Sequence, residues 1–141
     1  LDSLRQRAPL TLSGGEKKRL CIAAVMAWNP EVLVLDEPTV GQDYLSKGRI
    51  LDTIRQLVAA EKTVLVVSHD LEFRWPLDAR TVVMMGGKVV ADGDSQTVFS
   101  DSPLLEGAGL KQPQLVTISK LFGRSPSFRD VSDAANWLSR R

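Results

Sequence analysis

The chain has 141 residues, of which 43% are hydrophobic and 25% charged, so it has room for one domain with a modest core and is not disordered as a whole. Its 18 Lys and Arg residues nearly balance its 17 Asp and Glu residues, which excludes the basic field typical of nucleic-acid-binding and polybasic membrane-surface proteins. No apolar run approaches the roughly 20 residues of a membrane-spanning helix, and the single cysteine, Cys21, excludes an internal disulfide and is expected to be a small buried side chain.

The first predicted element is a capped helix. Residues 1–10 form a polar, helix-compatible piece that ends at Pro9. Ser13 then occupies an N-cap position, with Glu16 three residues later in the spacing of a capping box. Apolar side chains recur at helical spacing from Glu16 to Ala27, so a helix is predicted over these residues.

Gly14 and Gly15 follow the predicted cap. Both are poor helix formers, so capping alone does not explain why two glycines stand in the first turn. Bare amides at a helix N-terminus suit an anionic ligand such as a phosphate, because the helix dipole and the free N–H groups face the same point. The alternative is that Ser13 and Glu16 only start the helix.

A buried strand ending in two carboxylates is predicted next. Val32–Asp36 is aliphatic on both faces, which indicates a central parallel strand. Asp36 and Glu37 stand at its carboxyl end, where acids can serve a metal–phosphate complex. The alternative for adjacent acids at this place is a solvated turn.

A loop, a helix and a second strand follow. Gly41–Asp43 is predicted as the loop, and Asp43 as the cap of the next helix is an alternative to a ligand-binding role. A helix over Leu45–Ala60 and a strand over Thr63–Ser68 complete a right-handed βαβ unit. His69 then emerges at the same sheet edge as the two acids.

The remainder is predicted as a hairpin and a helical tail. The predicted elements are a short helix after Asp70 that Pro76 kinks, strands over Thr81–Met85 and Lys88–Ala91 joined by Gly86-Gly87, a helix over Gln96–Phe99 capped by Asp94, a linker from Ser100, and helices at about Pro113–Phe122 and Asp130–Arg140. We therefore divide the chain into a core at 1–99 and a linker with a helical extension at 100–141.

Four motifs in this order resemble the ATP-binding cassette (ABC) ATPases. Leu12–Glu16 resembles the signature motif, Val32–Glu37 the Walker B strand, Gly41–Asp43 the D-loop, and His69 the switch histidine. The resemblance covers the first two-thirds of the chain. It implies an α/β fold that is part of a P-loop NTPase core, with parallel strands, a β-hairpin and a helical C-terminal tail.

One motif of that family is missing. No G-x-x-x-x-G-K-[ST] segment occurs in the chain, so the Walker A loop that cradles the nucleotide phosphates is absent. The chain therefore looks like the C-terminal half of a cassette, and Gly109–Leu121 resembles the tail of the energy-coupling-factor and cobalt/nickel importer ATPases. In such cores the Walker A strand lies between the strands here predicted at Thr63–Ser68 and Thr81–Met85. We expect the chain alone to be inactive, and unstable, mispaired or rescued by another chain.

The resemblance also implies the roles of individual residues, with ATP and Mg²⁺ as cofactors. Glu37 and His69 would be catalytic, Asp36 would hold the metal, and the nucleotide would be contacted by Ser13, Gly14, Gly15, Glu16 and Asp43. In that family the signature loop reaches ATP held by a second subunit.

The implied function is an ATP-binding subunit that couples ATP hydrolysis to uptake of a small solute such as a metal ion or vitamin. Its partners would be a second ATPase subunit, in a homo- or heterodimer, and a transmembrane permease subunit, with no nucleic acid. Its place would be cytoplasmic, on the inner face of the cell membrane. The alternatives are an ABC-type ATPase of DNA repair or chromosome maintenance, and a non-catalytic remnant that binds cassettes.

Overall fold

The computed structural model describes residues 5–125 and 127–140. The chain divides after Ser68 into two compact units, and each is described by itself below. The predicted N-terminal piece begins in residues 1–4, outside the described residues. From residue 5 onward the backbone forms turns, followed by a 3₁₀ helix over Pro9–Thr11. The division into a core at 1–99 and an extension at 100–141 stays a prediction.

The first unit contains the predicted βαβ arrangement. Its elements are helix α1 (Gly14–Met26), strand β1 (Val32–Asp36), helix α2 (Tyr44–Ala59) and strand β2 (Thr63–Val67). The two strands run parallel, in a register that places Val32 opposite Thr63 and Asp36 opposite Val67. Because parallel strands share one carboxyl edge, the segments after β1 and β2 emerge side by side.

Strand β1 is buried on one face. Leu33 and Leu35 are buried, whereas Val32 and Val34 are 59% and 58% exposed. The prediction of a strand covered on both faces is therefore wrong for the described part of the chain. Period-two burial arises because α2 covers the sheet through its buried stripe of Ile50, Ile54 and Leu57, and the opposite face stays open.

The open face of this sheet predicts self-association. Among the described residues β2 pairs only with β1, and Leu65 is 55% exposed. We expect Leu65→Lys to raise the monomeric fraction of the chain, because a charge on an apolar face or open edge blocks pairing with other chains. The control is Val58→Lys on α2, where the native side chain is 56% exposed. Light scattering after size-exclusion chromatography measures the effect. A soluble monomer that unfolds sharply at high temperature before any substitution would contradict the expectation.

Helix α1 buries less than its sequence predicts. None of its residues is fully buried, and Cys21 is exposed, so the expectation of a buried thiol is wrong. Cys21 lines an open cleft of about 200 Å³ between α1 and the β1 segment. Its walls are formed by Lys18, Cys21, Ile22 and Val25 of the helix and by Leu33, Val34, Leu35, Asp36 and Pro38. The apolar stripe of α1 thus faces a cleft in place of a closed core.

The second unit begins with a broken helix and a hairpin. Helix α3 (Leu71–Arg74) passes into a 3₁₀ helix over Trp75–Leu77, which confirms the predicted disturbance at Pro76. Strands β3 (Arg80–Met85) and β4 (Lys88–Asp94) pair antiparallel. Their turn is the predicted glycine pair, whose φ angles of 55° and 76° require residues that tolerate the left-handed region.

Four further helices follow among the described residues of this unit. They are α4 (Ser95–Ser100), α5 (Ser102–Gly107), α6 (Gln114–Leu121) and α7 (Val131–Leu138). Helix α5 lies in the segment predicted as a linker, and that prediction is wrong there. Asp101 caps α5 by accepting from the Leu104 backbone N–H at 3.0 Å, and Pro103 stands in the first turn, where proline is tolerated. Glycine and proline therefore mark the helix ends.

The core of the second unit joins the hairpin to the helical tail. The buried cluster comprises Leu71, Trp75, Val83, Val98, Phe99, Leu105 and Val116. Trp75 Nε1 donates a hydrogen bond of 2.9 Å to the buried Phe128 carbonyl, and the Phe128 and Trp137 rings lie 5.5 Å apart. The tail thus packs on its own unit. No helix of the described residues combines the length and apolarity needed to cross a membrane.

Candidate functional site

The loop before α1 forms a complete capping box. Ser13 Oγ accepts from the Glu16 N–H at 3.3 Å, and Glu16 Oε2 accepts from the Ser13 N–H at 2.7 Å. Arg7 adds an ion pair to Glu16 at 3.6 Å. These bonds confirm that Ser13 and Glu16 start the helix. Ser13 and Gly14 remain exposed, so the outer side of the loop is accessible.

The capping box predicts an acid-sensitive first unit. The pKa of the Glu16 carboxyl is lowered, chiefly by the hydrogen bond from the Ser13 backbone. Because the folded pKa lies below the unfolded one of about 4.3, the stabilisation is complete above that pH and is lost as pH falls through the folded value. We expect the melting temperature of the chain to fall as the pH is lowered from about 5 to about 3. In Glu16→Gln the melting temperature should depend less on pH over this range. Circular dichroism melts across pH measure it. An identical profile in the variant would show that Glu16 does not contribute.

Glu37 is held in an unusual conformation at the end of β1. Its φ of 43° lies in the left-handed region, which is energetically unfavourable for residues other than glycine. Such strained residues are often found at functional sites. The Glu37 N–H donates to the Val67 carbonyl at 2.9 Å, and Glu37 Oε2 accepts from Ser68 Oγ at 3.2 Å. The half-buried carboxylate is therefore oriented across the carboxyl edge of β1 and β2, unlike that of a freely solvated turn.

Two contacts at this edge were missed by sequence reasoning. Asp36 lies opposite Val67, so the next residues in the same parallel register are Glu37 and Ser68, which are hydrogen-bonded. Aligning the two predicted strands in this register would have predicted the Ser68 contact. Lys18 Nζ donates to the Glu37 carbonyl at 3.1 Å and ties α1 to the acid. No feature of the sequence separates Lys18 from the neighbouring basic residues.

The D-loop lies beside the capped loop. Asp43 caps α2 by accepting from the Ser46 N–H at 2.7 Å, and this bond is the main cause that lowers the pKa of Asp43. The capping alternative is thus confirmed as local structure. A Cβ on Gly15 would lie 2.8 Å from Gln42 Oε1 and 3.3 Å from Ser46 Oγ. The fold therefore brings Gly15 close to the Gly41–Asp43 loop.

The remaining candidates lie at or after the strand ends. Asp36 is exposed at the end of β1. Among residues 5–125 and 127–140 no cluster of three or more His, Cys, Asp or Glu side chains could hold a metal ion. Mg²⁺ is usually held by one or two carboxylates together with phosphate oxygens, so the single Asp36 carboxylate fits a metal–nucleotide complex. His69 is exposed, directly follows Ser68 in the chain, and is the first residue of the second unit.

Comparison with known proteins shows which sequences this chain resembles. The family model for ABC transporters matches residues 1–40. The energy-coupling factor transporter ATP-binding protein EcfA2 of Methanospirillum hungatei is 39% identical over 120 residues, which cover 85% of this chain and 30% of the relative. EcfA2 of Clostridium tetani is 40% identical over 120 residues, covering 84% of this chain and 42% of the relative. This chain is homologous to the ATP-binding proteins of ABC transporters.

Solved ABC structures share the fold. An ATP-binding cassette of an ABC transporter matches with a TM-score of 0.70 and 28% identity, over 79% of this chain and 45% of that one. The cbiO1 protein of Clostridium perfringens, part of the ABC transporter complex cbiONQ, matches with a TM-score of 0.64 and 29% identity, over 85% and 48% of the two chains. The chain thus spans less than half the length of these ABC relatives. The predicted fold class is confirmed, and the roles of its individual site residues stay predictions.

Proposed function

We propose that this chain supplies the signature loop and the catalytic glutamate of a transport-coupled ABC ATPase. One observation carries the proposal. The Glu37 carboxylate is fixed at the shared carboxyl edge of β1 and β2 by Ser68, and Lys18 of the signature helix binds the same residue. A general base needs such an oriented acceptor next to the reacting water.

Each candidate residue has a proposed role in ATP hydrolysis that follows from its position. Glu37 accepts the proton of the attacking water, and Asp36 is the residue that would hold Mg²⁺. When bound, Mg²⁺ neutralises charge on the phosphates. Ser13 and the amides of Gly14 and Gly15 face the terminal phosphate of ATP held by a second subunit, with Glu16 keeping the loop in shape. Asp43 acts at the same interface, and His69 would act as the switch histidine.

Hydrolysis requires a phosphate cradle that this sequence does not contain. Phosphoryl transfer depends on backbone amides and a lysine that neutralise charge, as in a Walker A loop. No Walker A sequence occurs here. We therefore expect the chain to turn over ATP only together with protein that supplies this loop.

The partners follow from the relatives. EcfA2 is named as an ATP-binding protein of energy-coupling factor transporters, and cbiO1 as part of the complex cbiONQ. By extension, this chain acts with a second ATPase subunit and a transmembrane permease, on the cytoplasmic face of the cell membrane. The transported cargo would be a small solute such as a metal ion or vitamin.

A chimera tests the proposal. In the cassette chimera, this chain replaces the aligned segment of EcfA2 from Clostridium tetani, so that the relative supplies the missing loop. We expect MgATP turnover within about tenfold of the parent protein, a barrier difference of about 1.4 kcal/mol, and none by the 141-residue chain alone. A folded chimera that binds ATP without hydrolysing it would overturn the proposal and favour a non-catalytic cassette-binding module.

A further inference from the structure

A side chain at position 15 would collide with the end of the Gln42 side chain. A Cβ at this position would lie 2.8 Å from Gln42 Oε1, closer than carbon and oxygen approach without a bond, and 3.3 Å from Ser46 Oγ. A Cβ on Gly14 would meet nothing within 4 Å. The two glycines of the signature loop therefore differ, since a side chain at position 15 would displace the Gln42 side chain, whereas one at position 14 would meet open space.

Gln42 is held mainly by packing. Its Oε1 atom is buried and has no hydrogen-bond partner among the described residues, and its Nε2 donates to the Val40 carbonyl only at 3.4 Å. Because its hydrogen bonds are so weak, the position of this side-chain amide is determined mainly by the atoms that pack against it. Gly15 is one of the residues that pack against Gln42. A shift of either residue would therefore displace the other.

Arg19 lies close to both the signature loop and the start of α2. The Arg19 guanidinium contributes to lowering the pKa of Glu16 in the signature loop and that of Asp43 at the start of α2, in each case as a minor cause. Arg19 Nη1 also lies 3.7 Å from where a Gly15 Cβ would be. The signature helix and the D-loop thus meet through several side chains at one place.

We propose that Gln42 is a positioning residue that couples the D-loop to the signature loop through its packing against Gly15. On this account Gly15 is a glycine because Gln42 occupies the space of its side chain. Alanine at position 15 displaces a flexible side-chain end, so it disturbs the D-loop more than it disturbs folding. The inference rests on the proposed function, because its consequence is a slower ATPase reaction.

A double-mutant cycle in the cassette chimera tests the coupling. We expect Gly15→Ala to lower kcat about tenfold with little change in KM, and Gln42→Ala to lower it about threefold, since small misplacements slow turnover more than they weaken binding. Adding Gly15→Ala to Gln42→Ala is expected to cost little further, because the 2.8 Å contact with Gln42 Oε1 has been removed and only the 3.3 Å contact with Ser46 Oγ remains. The control is Gly48→Ala in α2, where a Cβ meets nothing within 4 Å and kcat is expected to stay unchanged.

A second readout does not depend on turnover. In chimera labelled with ¹⁵N-glutamine, the side-chain amide resonance of Gln42 is expected to shift with Gly15→Ala and to stay in place with Gly48→Ala. Effects on kcat that multiply in the double variant, or an unmoved Gln42 resonance in Gly15→Ala, would overturn the coupling. An inactive unsubstituted chimera would overturn the proposed function, and the resonance measurement would still decide whether Gln42 and Gly15 are coupled.

Discussion

Glu37→Gln in the cassette chimera is expected to lower ATP turnover by a factor of about 10² to 10⁴, the usual contribution of a general base. The amide keeps the size of the carboxylate and can still accept from Ser68 Oγ, which lies 3.2 Å from the native Oε2. It cannot take a proton from water at neutral pH. ATP binding should therefore persist while phosphate release slows by that factor. Phosphate release and the binding of a fluorescent ATP analogue are measured on the same preparation.

Glu31→Gln is the matched control for that variant. Glu31 is exposed and directly precedes β1, at the end of the strand opposite to Glu37. The same chemical change at this position should leave turnover within about twofold, because exposed substitutions away from special features cost little. Equal losses in the two variants, or full activity in Glu37→Gln, would remove Glu37 from the catalytic role.

Phe99→Ala is expected to destabilise the second unit by about 3–5 kcal/mol, the range for removing a fully buried aromatic side chain. Phe99 is 0% exposed and belongs to the same buried cluster as Trp75. The ring centroids of Phe99 and Trp75 lie 6.0 Å apart. Removal of the Phe99 ring leaves a cavity among side chains from the hairpin and the helices. Urea denaturation of the chimera, followed by tryptophan fluorescence, reports the loss as an earlier transition.

Leu121→Ala is the matched control for the core. Leu121 ends helix α6 and is 80% exposed, so its truncation should cost less than about 0.5 kcal/mol. Equal shifts of the transition for Leu121→Ala and Phe99→Ala would show that the buried cluster does not carry the stability of this unit.

Local signals predicted most of the secondary structure. The cap at Ser13, the paired glycines at Gly86-Gly87 and the cap at Asp94 each fixed an element boundary within one or two residues. These signals work because they act through neighbouring backbone atoms. They failed between Ser100 and Gly109, where proline and glycine indicated a linker although Asp101 and a buried Leu105 form helix α5.

Burial was predicted less well than secondary structure. Cys21 and the outer face of β1 were expected to be buried, because aliphatic neighbours surround them in the sequence. Whether a face is covered depends on which other elements are present, and periodicity does not carry that information. The exposed face of β1 and the cleft beside α1 show this.

The positions of the candidate residues in the fold were predicted better than their contacts, and their roles stay predictions. Motif order indicated Ser13, Asp36 and Glu37, and the fold places the two acids at a sheet edge. The contacts of Lys18 and Gln42 could not be predicted, because they depend on how α1 lies against the D-loop and β1. Such packing is set by tertiary structure, for which single-residue patterns give no signal.

Ser13 is proposed to contact a nucleotide that a second subunit binds. Multi-angle light scattering of the Glu37→Gln chimera measures whether two subunits close on ATP. We expect twice the monomer mass with MgATP, the monomer mass with MgADP, and, when Ser13→Ala is added, the monomer mass with either nucleotide. A Glu37→Gln chimera whose mass is independent of the nucleotide, or an ATP-dependent dimer that Ser13→Ala leaves intact, would show that Ser13 has no such role.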